Sequence, residues 1–479
     1  MNFFHKAILG LSCLTLLGMQ ACTTKSSDNP FKTTEIGEED FENLPEDAKE
    51  LYYTGWLLSV FYVNADTELG EFEDYYKQGT KNGFPTDYFE FPDVEYMFYS
   101  LSDNYTRYFS PRYAEQIINM LLYSEENVGI GVDIKEVTVP SCETGDDCDE
   151  TQTKLVFKHV YPGAPAAKSG ILKDDTLVTI DGVTPTNANM FQKLASGESG
   201  ETTSIVVKRG EENRTYVVKF QEFLTPTVFV DMEDSIPVIT ITEFTDTTYL
   251  NTGTYGEFVN ALEETKDAKA TIIDLRGNPG GSVDQCMNAT AELIDKNDTM
   301  AFMISHSIDT LTEDPIVDTL TWTASEDGIA KGRYFVFLAD TGSASCAELM
   351  LVGAISNTKS PVVGLTTYGK GIGQSYLGTY ANGIAGITSM RMLDKNKKIY
   401  HRYGIEPDYI EGDPDKAMEI AVKLAKERTA VRTKEYGSVD TGHFTLLKSR
   451  GLAGKADRPE RGGAYKVIRE KQQKPFPFK

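Results

Sequence analysis

Two residues of this 479-residue chain stand where they could do acyl-transfer chemistry, Ser345 and Lys370. A hydroxyl attacks a carbonyl only when a base takes its proton, and a lysine held neutral by burial can be that base. The oxyanion that follows needs hydrogen-bond donors already in place. Both residues lie in one stretch, residues 335–374, reading FVFLAD, TGSASCAELMLVGAISN and SPVVGLTTYGKGIGQ. Residues 335–338 form a short apolar run that reads as a buried strand. Thr341, Gly342 and Ser343 make a tight turn, and the Ala- and Leu-rich run 344–355 has the length and composition of a helix. Ser345 is therefore expected at a helix mouth, among free N–H groups and a partial positive charge. A second strand, 361–364, leads into the Gly-rich loop that carries Lys370. The local pattern alone also fits a plain helix cap and a solvated lysine, and Ser343 is a competing hydroxyl.

The elements that must position these residues can be read from periodicity. Residues 236–244 alternate like a half-buried strand, 255–264 read as a helix, and 270–294 as strand, Gly-rich turn and helix. That turn could be an ordinary βα connection, with Asp274 and Arg276 paired structurally; the GNPGG spacing does not fit a dinucleotide fingerprint. Residues 304–333 are polar and read as a hairpin or lid. Asn382-Gly383 between 375–380 and 384–392 is a hairpin signal, and 414–428 read as a helix. Further upstream, 35–50 are acidic and read as a solvated helix start. Residues 48–63 and 93–127 are expected to be helical, with Tyr105, Tyr108 and Phe109 as core. Residues 128–223 hold short β-like runs with one or two helices. An acidic insertion, 135–154, carries Cys142 and Cys148, for which a disulfide is expected. Cys286 and Cys346 are placed near the active centre, and a bridge between them stays open.

Composition narrows the classes. A net charge of -25 argues against nucleic acid as a partner. No metal-ligand spacing occurs, and neither a metal nor a cofactor is expected. The five histidines fall in no motif, and no GxSxG elbow surrounds Ser345. Residues 1–21 read as an export signal too short to span a membrane, and a Ser- and Thr-rich tether follows up to residue 40. Residues 429–479 form a basic, Gly-rich tail expected to be partly ordered. It could touch an acidic membrane surface or the acidic N-terminal region, or do nothing.

GSASCAE followed by TTYGKGIGQ resembles the active-site region of the carboxyl-terminal processing (tail-specific) peptidases, PDZ-containing serine peptidases with a Ser–Lys dyad. The resemblance implies Ser345 as nucleophile, Lys370 as base and Gln374 as the residue that orients the lysine. The 25-residue spacing and Glu348 favour Ser345 over Ser343. The family's Ala-Ser after the nucleophile is Cys346-Ala347 here, which bears on substrate fit. DLRGNPGG resembles the family's DLRxNxGG, so the N–H of Gly280 or Gly281 would join that of Cys346 in an oxyanion hole. GIGV, with Gly129, Ile130, Gly131 and Val132, resembles the carboxylate-binding loop of a PDZ domain, and YPGAPAAKSGILKDDTLVTIDG continues that likeness. A bound tail would add there as a strand. DNYTRYFSP resembles the family's segment before the PDZ domain and GIEPD its exit from the core, while DKNKKIYHRY replaces a Pro-x-Gly. The leader resembles a lipoprotein signal, with Cys22 as the lipidated residue.

The implied fold is multidomain α/β. It comprises a signal (1–21), a tether (22–40), a helical N-terminal region (41–127), a β-rich PDZ domain with two helices (128–223), an α/β ClpP/crotonase-like peptidase core (224–428) and the tail (429–479). The implied function is an exported, membrane-anchored endopeptidase of the bacterial cell envelope, periplasmic or surface-facing, acting on proteins with accessible C-terminal tails. The rivals are a non-catalytic PDZ adaptor on a peptidase scaffold and, less fitting, a small-molecule esterase.

Overall fold

The computed structural model describes residues 41, 43–122, 127–140, 151–308, 315–428, 453–454 and 463–471. The signal and tether, Cys22, Cys142, Cys148 and most of the tail lie outside the described residues.

The N-terminal region is helical: α1 (Glu46–Phe61), the single turns α2 (Ala65–Glu68) and α3 (Phe72–Tyr75), and α4 (Pro92–Tyr99). The helix expected to run on to residue 127 is broken. A short strand, β1 (Arg107–Phe109), precedes α5 (Pro111–Leu122). Asp103 accounts for the break, because its carboxylate accepts from the Tyr105 N–H at 2.9 Å and the Thr106 hydroxyl at 2.7 Å. Such local bonds compete with helical ones.

Next come β2 (Asn127–Gly129), β3 (Val132–Pro140), β4 (Thr151–Val160), α6 (Pro165–Ser169), β5 (Thr176–Ile180) and α7 (Ala188–Leu194). The unit closes with β6 (Thr202–Arg209), β7 (Glu212–Lys219) and β8 (Gln221–Phe223). β3 to β7 form an antiparallel sheet in sequence order, with β3 at one edge, and β2 pairs with β8. Leu155, Phe157, Ile171, Ile205 and Val218 fill its core.

The remaining elements build two packed sheets. They are β9 (Val228–Glu233), β10 (Ile236–Ile241), α8 (Gly253–Glu264), β11 (Ala270–Asp274), α9 (Val283–Ala291), β12 (Thr299–Ile308) and β13 (Pro315–Ala324). β14 (Tyr334–Ala339), α10 (Cys346–Thr358), β15 (Val362–Gly364), β16 (Ile372–Gly378) and β17 (Ile384–Leu393) follow. Last are β18 (Tyr409–Ile410), α11 (Pro414–Glu427), β19 (Ala453–Gly454) and β20 (Gly463–Lys471).

One sheet runs β18-β15-β14-β11-β10-β9 and is parallel except for β9. Its inner strands β10, β11, β14 and β15 are mostly apolar and buried because both faces are covered there. Val238, Ile272, Val336, Leu338 and Val363 pack on Ala417, Ala421 and Leu424 of α11. Their neighbours Ile239, Ile273, Phe335 and Phe337 pack on the α8–α10 side. The second sheet, β1-β17-β12-β13-β20-β19 with β16 also on β17, is antiparallel. The segment read as a hairpin or lid supplies the paired β12 and β13. Within the tail, 463–471 form a strand on β13.

Candidate active site

In a parallel sheet the loops leaving the carboxyl ends of the strands converge on one edge, and ligand sites form there. β10, β11, β14 and β15 send out the four loops that make this site. Asn278, fully buried, joins three of them. Its amide donates to the Ile241 carbonyl at 2.9 Å, its side-chain oxygen accepts from the Gly280 N–H at 2.8 Å, and its carbonyl accepts from the Ala344 N–H at 2.9 Å. Asp274 grips Arg276 with a pair of short bonds, and Arg276 in turn donates to the Pro414 carbonyl at 2.9 Å, so this pair is structural.

Ser345 is the N-cap of α10, at φ 53° and ψ −116°. A non-glycine residue with positive φ is strained, and such strain persists only where surrounding contacts fix it. The fixing group is Glu348, fully buried one turn into the helix. Glu348 Oε2 accepts the Ser345 N–H at 3.0 Å and the Lys370 N–H at 2.7 Å. Its Oε1 accepts the Gly369 N–H at 2.7 Å and the Thr367 hydroxyl at 2.5 Å. With one oxygen bonded to both, the backbone nitrogens of Ser345 and Lys370 lie within about 6 Å of each other. Burial pushes the Glu348 carboxyl up from its ordinary value, and the four donors pull against it.

Ser343, the competing hydroxyl, is buried and occupied. Its Oγ donates to the Leu275 carbonyl at 2.8 Å and accepts the Asp340 N–H at 2.9 Å. Ser345 is half-buried by comparison, and among the described residues its side chain accepts only the Glu348 N–H of the capping box.

The two oxyanion glycines have different roles. The Gly280 N–H is already committed to Asn278, so the expectation that it could serve as a free donor is corrected. Gly280 is instead a contact glycine: at φ +103°, a Cβ there would stand 2.7 Å from the Ser345 Cβ and 2.8 Å from the Cys346 nitrogen. Among the described residues no acceptor is found for the Gly281 or Cys346 N–H. Those two amides remain the donors that an oxyanion could use. The Cys346 thiol bonds to the Gly281 carbonyl at 3.2 Å and so ties the two donor turns together. Cys286 and Cys346 are both buried free thiols.

The structure departs from expectation at the lysine. The Lys370 nitrogen stands over the Tyr105 ring, 5.1 Å from its centroid, and among the described residues it makes no hydrogen bond or ion pair. Gln374 does not reach it: the Gln374 amide donates to Thr388 Oγ1 at 3.2 Å. The reason is the register of β16 on β17, which places Gln374 directly opposite Thr388. Tyr105, expected in the core, is a site residue; its hydroxyl donates to that of Tyr368 at 2.9 Å, and the Tyr368 N–H donates to the Ser343 carbonyl at 2.9 Å. Glu348 was signalled by the Ser-x-x-Glu spacing of a capping box. Nothing local signals Tyr105 or Thr367.

In the β-rich unit, Gly129 ends β2 and Val132 begins β3, with Ile130 buried between them. Gly131 has φ +73°, and a Cβ there would fall 2.2 Å from that of Ala164, so only glycine fits. The carbonyls of Ile130 and Gly131 are held by the N–H groups of Ala166 and Tyr161, both at 2.9 Å. This unit is joined to the parallel sheet by His159 of β4. Its ring lies between Asp133 (3.1 Å) and Asp231 of β9 (3.0 Å) and stacks on Phe229.

Comparison with known proteins agrees with this architecture. Residues 235–410 match the family described as Peptidase family S41, and residues 156–209 match a PDZ domain. The carboxy-terminal processing protease CtpA of Bacillus subtilis (strain 168) is 26% identical over 392 residues, 80% of this chain and 76% of that protein. A probable CtpA-like serine protease of Staphylococcus haemolyticus is 26% identical over 268 residues, 55% of this chain. The alignment spans about half the length of that relative, 51%. The solved structure of a photosystem II D1 C-terminal processing protease shares 17% identity at a TM-score of 0.45, over 81% of this chain and 99% of that one. The chain is mixed α/β, and in it a stretch that matches a PDZ domain precedes one that matches peptidase family S41.

Proposed function

We propose that the protein is a serine endopeptidase in which Ser345 is the nucleophile and Lys370 the general base. The observation that carries this reading is the shared carboxylate. Glu348 holds the backbone of both residues on one oxygen, at a helix mouth, beside two amides without another acceptor. Neutral Lys370 takes the Ser345 proton as Oγ bonds to the peptide carbonyl carbon, and the oxyanion is held by the N–H groups of Cys346 and Gly281. The lysine ammonium then gives its proton to the leaving amine as the C–N bond breaks. Water, deprotonated by the lysine, cleaves the resulting ester and frees the serine. Gln374 bonds to Thr388 of the neighbouring strand and so supports β16, the strand that follows the lysine loop. Ser345→Ala and Lys370→Ala are each expected to abolish cleavage of a casein-like unstructured protein, a loss of at least about 1000-fold. Activity retained in either variant refutes the dyad.

The substrate class follows from the PDZ domain. β3 is an edge strand, so a protein's C-terminal tail can add to it main chain to main chain, with its carboxylate at the loop Gly129, Ile130, Gly131 and Val132. The protein is further proposed to be exported and lipid-anchored through Cys22, with the enzyme facing the periplasm or the cell surface. The support is the sequence: the apolar run 7–17 and the small residue before Cys22. Cys22→Ala should move the protein from the membrane to the soluble fraction, and unchanged fractionation contradicts the anchor. A second reading, a binding protein that has lost catalysis, is favoured by one observation, the resting place of Lys370 on Tyr105 rather than on Ser345. The casein assay decides between the two.

A further inference from the structure

We propose that Tyr105 is a positioning residue for Lys370: its ring face holds the lysine in its charged form, and so stabilises the ammonium created when Lys370 takes the Ser345 proton. The inference rests on the dyad reading above and adds a residue to it.

The ring is rigidly presented. The Tyr105 N–H is tied to Asp103 at 2.9 Å, and the next residues pair with β17. At its far edge the hydroxyl bonds to Tyr368, which is bonded through its N–H to Ser343, two residues from the nucleophile. The ring is thus fixed to the same turn that carries Ser345, and Lys370 Nζ lies 5.1 Å above it. Burial, together with the bond to Tyr368, pushes the Tyr105 phenol well above its ordinary value, so it is neutral. What it offers a cation is therefore the negative face of an aromatic quadrupole and not a phenolate. The other polar groups around the lysine loop serve the backbone. Glu348 accepts the Lys370 N–H at 2.7 Å, and the Arg402 N–H donates to the Gly369 carbonyl at 2.8 Å. Burial lowers the His401 imidazole from its ordinary value. Among the described residues the Tyr105 ring is the one partner found for the ammonium itself.

A group that stabilises a charge equally before and during a reaction does not change the rate, and one that meets the charge only in the transition state does. On the acid side of the pH profile the lysine is charged in the free enzyme and in the transition state, and the ring cancels. On the alkaline plateau it is neutral in the free enzyme and gains its proton during attack, so only the transition state feels the ring. The test is kcat/KM against pH for an internally quenched peptide. Tyr105→Phe, which keeps the ring, should overlay the wild type. Tyr105→Leu should lower the alkaline plateau by roughly three- to tenfold and leave the acid limb in place.

Because Tyr105→Leu could disturb folding, phenylalanines with increasing fluorination at position 105 provide the second arm. They keep the shape and drain the negative face, and the plateau should fall stepwise. A plateau that stays constant across the fluorinated series, or a drop by one factor at every pH, overturns the proposal. Lys370→Ala in the same assay separates the two levels. If it cleaves, the dyad itself fails; if it is dead while the fluorinated series is flat, only the role of Tyr105 fails.

Discussion

Ser345 holds a backbone conformation that costs about 1–3 kcal/mol, and one buried carboxylate keeps it there. Replacing Glu348 with Leu leaves the N–H groups of Ser345, Gly369 and Lys370 without an acceptor in a buried place. An unsatisfied buried donor costs about 1–3 kcal/mol, so Glu348→Leu should destabilise the protein by about 3 kcal/mol or more, read as a lower urea midpoint. Catalysis should fall further than stability explains. An unchanged midpoint argues against the clamp. At this scale the sequence reveals what is close in the chain. The Ser-x-x-Glu spacing marks Glu348, and the resemblance to the carboxyl-terminal processing peptidases, which includes the 25 residues from Ser345 to Lys370, marks the pair. Tyr105 is invisible to such reasoning, because its hydroxyl meets Tyr368 across 263 positions of chain. Gln374 was misplaced for a related reason. Its partner is set by strand register, which a one-residue slip would change.

At the scale of elements, strands and helices with strong periodicity were legible, including β14, α10 and the Asn382-Gly383 hairpin. The break after α4 was not, because one aspartate outweighs a helical pattern. Nor was the joint between β4 and β9, which depends on two sheets meeting. There His159 faces a carboxylate on each ring nitrogen, and both nitrogens can donate only in the imidazolium form. Lys158 and Lys173 also face Asp231, and Tyr161 donates to Asp133. Burial alone lowers the His159 pKa, but the hydrogen bonds it donates to Asp133 and Asp231 outweigh it and the net shift is upward from 6.5. Burial likewise raises Asp231, and the bonds from His159 and Lys173 pull it below the usual carboxylate range. A histidine with a raised folded value adds stability that is fully present below its unfolded pKa and is lost as pH rises through the folded one. The joint between the PDZ domain and the core should therefore loosen on the alkaline side of 6.5. Amide exchange of β4 and β9, corrected for intrinsic rates, should show this in the wild type and not in His159→Gln. An identical pH dependence in the variant contradicts it.

At the scale of the molecule, the N-terminal helices are part of the site's foundation. Glu50 of α1, fully buried, accepts from Tyr108 and from the Ala381 N–H, both at 2.7 Å. The Val63 N–H and the Thr106 hydroxyl bond the backbone of Thr388, the residue that holds Gln374. The order of the regions along the chain could be read from composition and motif, whereas this bracing of one region by another could not. It arises from contacts between residues 282 to 331 positions apart, which no local pattern encodes. The central claim, that Ser345 is a nucleophile activated by Lys370, is tested most directly by intact-mass and peptide mapping after reaction with a fluorophosphonate. One adduct on Ser345 in the wild type, lost in Lys370→Ala, is the expected result. An adduct on Ser343, or labelling of Ser345 that is undiminished without Lys370, contradicts it.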